Sequence, residues 1–497
     1  MKTLAFTILM GLGAVASADK SGERPARSGA EGGAKVSARP SEKVPVTTAS
    51  PDARDLYMKA QDLADKLRGT DAHELFAKAV AKDKDFALAY LGMANTSGTG
   101  KDFFDALGKA VALEDKVSPG EKLLIQAAEQ GSKNDQAHQK ESLDKLARMF
   151  PSDERVANLL GAYYFGRQDY AQSIAAYEKA IKINPAFTQP YNQLGYAYRF
   201  SNELPDAERT FKKYIELIPG DPNPYDSYGE LLMEEGKFDD SVASYKKALA
   251  IDNNFVASYI GIGNDQMFQG KGDDARKTFA QFAKVARTDG ERRTAIFWTA
   301  IAYSFEGAWD KAVAEGEKMV AIANERKDNA MLSNDYNFIG NTLLEAGRAD
   351  EAAAKYKLQQ EMNDKANLPA GVKETVKRTG LYDDARVALV KHDLKTAKAR
   401  AAEYAKQVNV KQNPFEVRQA HELNGMVAIE DKQWKTAVDQ LGHANQRDPR
   451  VLYLEAVAMK GAGDAKGSKA MAAKAANFNG LAPNFGYVRA KAQALTK

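Results

Sequence analysis

A repeat with a period of 34 residues organises the middle of this chain. Between residues 155 and 283 the sequence aligns with itself in blocks of that length. One column of the alignment holds glycine, and the column 16 positions later holds an aromatic residue. The glycines are Gly161, Gly195, Gly229 and Gly263, and the aromatic residues are Tyr177, Phe211, Tyr245 and Phe279. A fixed period of this size predicts a solenoid of stacked units.

Each block contains two apolar patterns with the period of an α-helix, and a short polar break separates them. In the second block, Tyr191, Leu194 and Tyr198 lie on one helical face, and Phe211 belongs to the second pattern. The glycine column falls within the first helix, where glycine costs about 1 kcal/mol relative to alanine. Because this cost recurs in every block, we predict that the two helices cross at the glycine and that the aromatic side chain packs beside the crossing.

The second block also carries the positions that identify a known repeat. They are Tyr191, Leu194, Gly195, Tyr198, Ala207, Phe211 and Pro219. In this pattern the chain resembles the tetratricopeptide repeat (TPR) family, and the resemblance extends over most of the sequence after Ser50. It implies a right-handed superhelix of helix pairs whose concave groove binds peptides or proteins. We therefore predict an all-α solenoid of about twelve helix–turn–helix repeats, followed by a C-terminal capping helix.

The chain divides into six predicted parts according to how closely each stretch matches the 34-residue repeat. Ser50-Pro51 and the S-x-x-E motif at residues 118–121 are helix start signals within repeats that diverge from the central pattern. After Gly263 the register slips, and we expect a slightly lengthened loop before the turn at Gly307. The parts are a signal peptide (1–18), a disordered linker (19–50), divergent N-terminal repeats (51–151), the regular array (152–290), divergent C-terminal repeats (291–480) and a capping helix (481–497).

The first 18 residues have the features of a secretory signal peptide. Lys2 precedes an apolar run from Leu4 to Ala16, and small residues form a cleavage site that ends at Ala18. The alternative is a membrane anchor, but the run is shorter than the roughly 20 residues that span a bilayer. We therefore expect cleavage after Ala18, a periplasmic or extracellular location, and no stable membrane insertion after cleavage. Residues 19–50 contain Gly, Pro and no aromatic residue, which favours a disordered spacer over a recognition tail.

The composition and the short motifs give no sign of an enzyme or of a cofactor site. Acidic and basic residues nearly balance at a net charge of +3, which gives no reason to expect nucleic acid as a partner. The chain has no cysteine, and hence no disulfide and no thiolate site. His421 and His443 are spaced to approach each other within one repeat, but a metal site needs further ligands. We predict no catalytic residue, no cofactor, no metal ligand and no enzymatic activity.

The family resemblance places the first helix of each repeat on the concave face of the superhelix. On those helices, the spacing relative to the glycine column leaves a second face for a partner. The candidate groove residues are Asn158, Asn192, Tyr196, Arg199, Phe200, Asp226, Glu230, Asn264 and Phe268. Asparagine amides suit the backbone of an extended peptide, while aromatic side chains suit its apolar side chains.

Two classes of function remain open at the level of the sequence. The first is a non-enzymatic protein–protein interaction scaffold of the bacterial envelope, which binds peptide or protein segments in the concave groove. The alternative is an accessory protein that binds a glycan or a small ligand during envelope polymer handling or secretion. The identity of the protein partner does not follow from the residues.

Overall fold

The computed structural model of the chain describes residues 43–133, 135–411 and 413–497. Within these residues the chain forms 25 α-helices, one short 3-10 turn at Glu114–Lys116 and no β-strand. Helices α1 to α24 form twelve consecutive pairs, which we number as repeats 1 to 12, and α25 follows the last pair. The prediction of an all-α solenoid of about twelve repeats is confirmed. The predicted signal peptide, and the linker up to residue 42, lie outside the described residues.

The helices of the first six repeats cover the N-terminal half of the chain. Their bounds are α1 Pro51–Asp65 and α2 Gly69–Lys82; α3 Ala87–Asn95 and α4 Gly100–Ala112; α5 Pro119–Ser132 and α6 Gln136–Met149; α7 Glu154–Gly166 and α8 Tyr170–Ile183; α9 Gln189–Phe200 and α10 Leu204–Leu217; α11 Pro222–Glu234 and α12 Phe238–Ile251.

The remaining six repeats and the terminal helix follow in the same order. Their bounds are α13 Ala257–Phe268 and α14 Gly272–Val285; α15 Asp289–Phe305 and α16 Trp309–Glu325; α17 Asn329–Glu345 and α18 Ala349–Lys365; α19 Ala370–Val390 and α20 Leu394–Lys411; α21 Pro414–Glu430 and α22 Trp434–Gly442; α23 Pro449–Gly461 and α24 Ala465–Ala476; and α25 Phe485–Thr496.

The glycine and aromatic columns meet where the two helices of a repeat cross. A Cβ atom added at Gly195 would lie 2.5 Å from the ring of Phe211, and one added at Gly161 would lie 2.4 Å from Tyr177. The same contact recurs in repeats 6, 7 and 9. Phe211 is fully buried, so its ring has no free space to move into. The predicted role of the glycine column is therefore confirmed: only hydrogen fits at the crossing.

A second column with a 34-residue period closes the first helix of each central repeat. Its residues are Gln168, Asn202, Gly236 and Gly270, and all four have φ between 62° and 76°. This left-handed conformation ends a helix and turns the chain into the next one. Glycine adopts this conformation without steric cost, whereas the Cβ atoms of the glutamine and the asparagine make it less favourable.

The register slips after repeat 7 because the helices become longer. In repeats 4 to 7 each helix has 12 to 14 residues. In repeats 8 to 10 each has 17 to 21 residues. The loop between α14 and α15 spans only residues 286–288. The expectation of a lengthened loop before Gly307 is therefore wrong, because the extra residues extend the helix itself.

Residues 43–50, which we assigned to the disordered linker, form an extended segment that packs on the first four repeats. We call this segment the N-terminal strap. The Val44 amide donates to the Asp153 carboxylate at 2.8 Å, and the Thr47 amide donates to Glu121 at 2.7 Å. The side chain of Val44 also packs against the apolar cluster around Phe150. The linker assignment is therefore wrong for these residues, because helix-capping carboxylates bind their backbone.

The two ends of the solenoid both return to its middle. Repeat 1 reaches the loops that follow repeats 6 and 7, since Arg68 pairs with Asp252 at 3.3 Å and Asp71 pairs with Arg287 at 2.6 Å. At the other end, α25 packs on repeat 12 and also on repeats 7 and 8. The superhelix thereby encloses the space that an open groove would leave to solvent.

The ring of Phe485 holds α25 against the middle of the solenoid. Its centroid lies 4.8 Å from that of Phe268 and 5.8 Å from that of Phe305, and the side chain is fully buried. The guanidinium of Arg489, also in α25, lies over the ring of Phe268, 4.6 Å from its centroid. The terminal helix therefore covers the last repeat and also the ends of α13 and α15, at Phe268 and Phe305.

Candidate functional site

The described residues surround a cavity of about 2250 Å³ inside the superhelix. Repeats 1 to 8 contribute most of its lining, chiefly through first helices and the turns that follow them. Residues of repeats 11 and 12, and the loop before α25, form a further wall across the opening. The concave face is thus an internal cavity that the chain itself partly covers, instead of a groove open along its length.

Six of the nine predicted groove residues line this cavity. They are Asn158, Asn192, Tyr196, Arg199, Phe200 and Glu230. The other three lie outside the lining and contact other parts of the chain. Asp226 accepts a hydrogen bond from the Ser258 hydroxyl, Asn264 donates to the Ile260 carbonyl, and Phe268 packs against α25. The end of α13 at Phe268 is therefore covered by the terminal helix.

The cavity wall carries amide oxygens that accept no hydrogen bond from the described residues. Asn158 and Asn192 occupy equivalent positions in repeats 4 and 5, and both side chains are buried. The Asn158 amide donates to Gln189 at 2.8 Å, but its Oδ1 has no partner, nor do Oδ1 of Asn192 and Oε1 of Gln193. A buried acceptor without a donor costs about 1–3 kcal/mol. A hydrogen-bond donor brought into the cavity would relieve that cost.

Arg199 belongs to a buried ion pair inside the protein. Its guanidinium donates to Glu230 at 3.0 Å and also contacts Glu234. Burial works against the charged form, but Glu234 and Glu230 outweigh it and raise the pKa of Arg199. The charge of this side chain is therefore already balanced, and its role in the structure is to connect repeats 5 and 6.

Aromatic rings form a patch next to this ion pair. Tyr170 stacks on Phe200 with 6.0 Å between centroids, and Phe165 meets Phe200 edge to face at 5.3 Å. Arg447, from the loop between repeats 11 and 12, lies 4.2 Å above the Phe200 ring and donates to the Phe200 carbonyl at 3.0 Å. The aromatic patch therefore contacts the loop between repeats 11 and 12 directly.

Sequence reasoning misses Arg418 and Arg447, which lie on the far side of the cavity. The repeat pattern compares residues of adjacent units, whereas these two residues face repeats 4 and 5 across the superhelix. No column of the alignment marks them, because the contact depends on how the whole solenoid curves. Only the three-dimensional structure brings them to the candidate site.

The histidine pair lies in repeat 11, outside the cavity. The ring centroids of His421 and His443 are 5.4 Å apart, so the two rings do approach each other as the spacing predicts. The Nδ1 atoms contact the Gln440 side chain and the Asp439 carbonyl. Within the part of the chain that the structure describes, no group of three His, Asp or Glu residues is arranged to hold a metal ion. In the same residues, no helix is both long and apolar enough to cross a membrane.

The stacked helix pairs and the internal cavity define the class of the protein as a helical-repeat solenoid. Residues 161–199 match a sequence profile described as TPR repeat, and residues 223–255 match one described as tetratricopeptide repeat. The chain is a tetratricopeptide-repeat protein. Repeats of this family generally serve as non-enzymatic scaffolds for protein–protein interaction, and in that general sense the chain is an interaction scaffold with protein partners.

Solved structures with similar helix pairs include MamA and a tetratricopeptide repeat protein from Parabacteroides merdae. The MamA crystal structure is 20% identical, with a TM-score of 0.28, and the match covers 33% of this chain and 91% of that chain. The Parabacteroides merdae structure is 16% identical, with a TM-score of 0.37, over 53% of this chain and 98% of that chain. MamA 41-end from Desulfovibrio magneticus is 14% identical, with a TM-score of 0.29, over 34% and 96%. No curated protein sequence gives a significant match.

Proposed function

We propose that this protein is an exported scaffold that holds an extended segment of a partner protein inside the cavity of its superhelix. The observation that supports this function is the pair of equivalent, buried asparagines at positions 158 and 192, whose Oδ1 atoms lack a donor. An extended polypeptide offers backbone N–H groups at regular intervals, and such donors suit acceptors that recur with the repeat. The aromatic patch beside Phe200 would receive apolar side chains of the same segment.

The location of the binding site is tested by site-specific crosslinking in cells that produce the protein. A photoreactive amino acid at Ala162 lies in the cavity lining, whereas one at Lys179 lies on the exposed face of a second helix and serves as the control. We expect protein adducts at Ala162 only, and we expect Asn158→Ala combined with Asn192→Ala to reduce them strongly. Equal adducts at both positions, or adducts that persist in the double variant, would contradict binding inside the cavity.

The double variant is also compared with the unmodified protein in purified form. Binding of an extended, uncharged peptide is measured by fluorescence anisotropy, and melting is followed by circular dichroism. Removal of the two unpaired acceptors is favourable, and it offsets the loss of the Asn158–Gln189 hydrogen bond, so the melting temperature should change little while peptide affinity falls. Saturable binding of a polysaccharide, without binding of any polypeptide, would favour a glycan-binding accessory protein over the proposed scaffold.

Export is the second part of the proposal, and it rests on the N-terminal sequence. The features that support it are Lys2, the short apolar run and the small residues that end at Ala18. N-terminal sequencing of the protein recovered from its native cells should give a chain that begins at Asp19. A protein that retains Met1 and stays in the cytoplasmic fraction would overturn the proposed periplasmic or extracellular location.

A further inference from the structure

The wall that the C-terminal repeats add to the cavity is basic. We define this C-terminal wall as the cavity-lining residues between positions 415 and 482. It contributes Arg418, Arg447 and Lys474, and none of its members is acidic. Opposite it, the cavity-lining residues between positions 156 and 204 are mainly aromatic, aliphatic and amide side chains, again without an acid. Although the whole cavity contains charges of both signs, this part of it has an excess of positive charge.

Arg418 is the arginine of the C-terminal wall that makes no hydrogen bond or ion pair within the described residues. It lies near the start of α21, and its Nε atom is buried without a hydrogen-bond acceptor among the described residues. Burial lowers the pKa of Arg418, and the interaction with Tyr170 on the opposite wall offsets only part of this effect. Arg447, by contrast, bonds to the Phe200 carbonyl and lies 3.5 Å from Glu234.

Two other arginines of the chain, one buried and one largely buried, show what Arg418 lacks. Arg378 makes two hydrogen bonds to the carboxylate of Glu416, at 2.8 and 3.0 Å. Arg293 pairs with the buried Asp335 in the same two-pronged manner. A buried guanidinium needs such a planar acceptor, because desolvation of an unpaired charge is costly. Arg378 and Arg293 thus have carboxylate partners within the fold, whereas Arg418 has none among the described residues.

We propose that Arg418 binds a carboxylate of the partner, so that the cavity selects an extended polypeptide segment carrying Asp or Glu. This inference rests on the proposed function, and it adds the chemistry of the segment. The backbone of the segment bonds to the amides of Asn158 and Asn192, and an acidic side chain reaches across the cavity to Arg418. Tyr170 and Phe200 flank the same space, so the acid is held in a partly desolvated position where an ion pair is strong.

Peptide binding to the full chain tests this selectivity. The probes are fluorescent peptides of about twelve residues, or about 40 Å when extended, with alternating Ser-Glu or alternating Ser-Gln. At low ionic strength the Ser-Glu peptide should bind about tenfold more tightly than the Ser-Gln peptide. Arg418→Gln should abolish that difference without changing affinity for Ser-Gln, and Arg418→Lys should keep part of it. Arg148→Gln, an equal charge change at an exposed site outside the cavity, should leave both affinities unchanged.

Melting measurements separate a binding role of Arg418 from a structural one. Because Arg418 makes no hydrogen bond or ion pair with the residues that the structure describes, Arg418→Gln should melt at the same or a higher temperature. A lower melting temperature would assign Arg418 to the fold and overturn the inference, as would an equal loss of Ser-Glu binding in Arg148→Gln. If both peptides bind equally to every variant, the acidic preference is wrong but the proposed scaffold stands. If neither peptide binds, the proposed function fails as well.

Discussion

Replacement of glycine by alanine should have opposite effects on stability at Gly195 and at Gly108. Both glycines lie inside a helix, in α9 and α4 respectively, where replacement by alanine improves helix propensity by about 1 kcal/mol. At Gly108 nothing lies within 4 Å of the new Cβ atom, so the protein should gain this full amount. At Gly195 the new Cβ would lie 2.5, 2.7 and 2.8 Å from three ring atoms of Phe211.

At Gly195, packing determines whether the substitution stabilises or destabilises the protein. Such distances are about 1 Å shorter than ordinary carbon contacts, and overpacking of this kind costs about 1–3 kcal/mol. After the gain in propensity is subtracted, Gly195→Ala should destabilise repeat 5 by about 1 kcal/mol. The two alanine variants should therefore differ by about 2 kcal/mol, although the chemical change is identical.

The comparison requires a local measurement, because a solenoid opens repeat by repeat. Native-state hydrogen exchange of α9 and α10 reports the stability of repeat 5, and exchange of α4 reports that of repeat 2. Phe211→Leu provides the matching test, since a smaller side chain should remove most of the penalty when combined with Gly195→Ala. If both alanine variants change stability in the same direction, the crossing contact does not account for the glycine column.

Three further changes test the buried carboxyl group, the terminal helix and the strap. Burial raises the pKa of Asp265 to about 8, so the folded state keeps a proton that the unfolded chain releases above its ordinary pKa of roughly 4. Stability should therefore fall as pH rises through this window, and Asp265→Asn should reduce that slope in urea titrations at several pH values. Phe485→Ala should cost about 3–5 kcal/mol at the contact with Phe268 and speed hydrogen exchange of α25 while repeats 1 to 4 stay protected. Glu121→Gln removes an acceptor of Thr47, so limited proteolysis should cut the strap sooner, and an unchanged cleavage rate would refute this anchoring role.

The repeat pattern predicts the elements and their pairing because it records local packing. Gly195 and Phe211 are 16 positions apart, and their contact is made within one repeat, so its cause is visible in the alignment. The helix start at Ser118 is equally local, since its hydroxyl and the Glu121 carboxylate form a capping box. Neighbour contacts of this kind determine helix bounds, turns and the number of repeats.

The cavity and its covering wall depend on contacts that the pattern does not contain. Arg68 pairs with Asp252, and Phe485 packs on Phe268, yet neither pair recurs in any other repeat. Spacing within the first helices correctly indicates that Asn158 and Asn192 share one face. It does not indicate that repeats 11 and 12 lie across that face, because small differences in helix length accumulate into the curvature of the whole solenoid.

The contacts of both ends of the solenoid with its middle also limit which deletions and duplications of repeats the fold can tolerate. In a solenoid with free ends, recombination between similar blocks can delete or duplicate one repeat, and the remaining repeats still stack on their neighbours. Here the loss of one repeat between Arg68 and Asp252 would move the two partners out of reach of each other, and α25 would no longer meet Phe268. The Arg68–Asp252 and Phe485–Phe268 contacts therefore fix the number of repeats between their partners. We expect relatives that share these contacts to keep the same repeat count while their surface residues diverge.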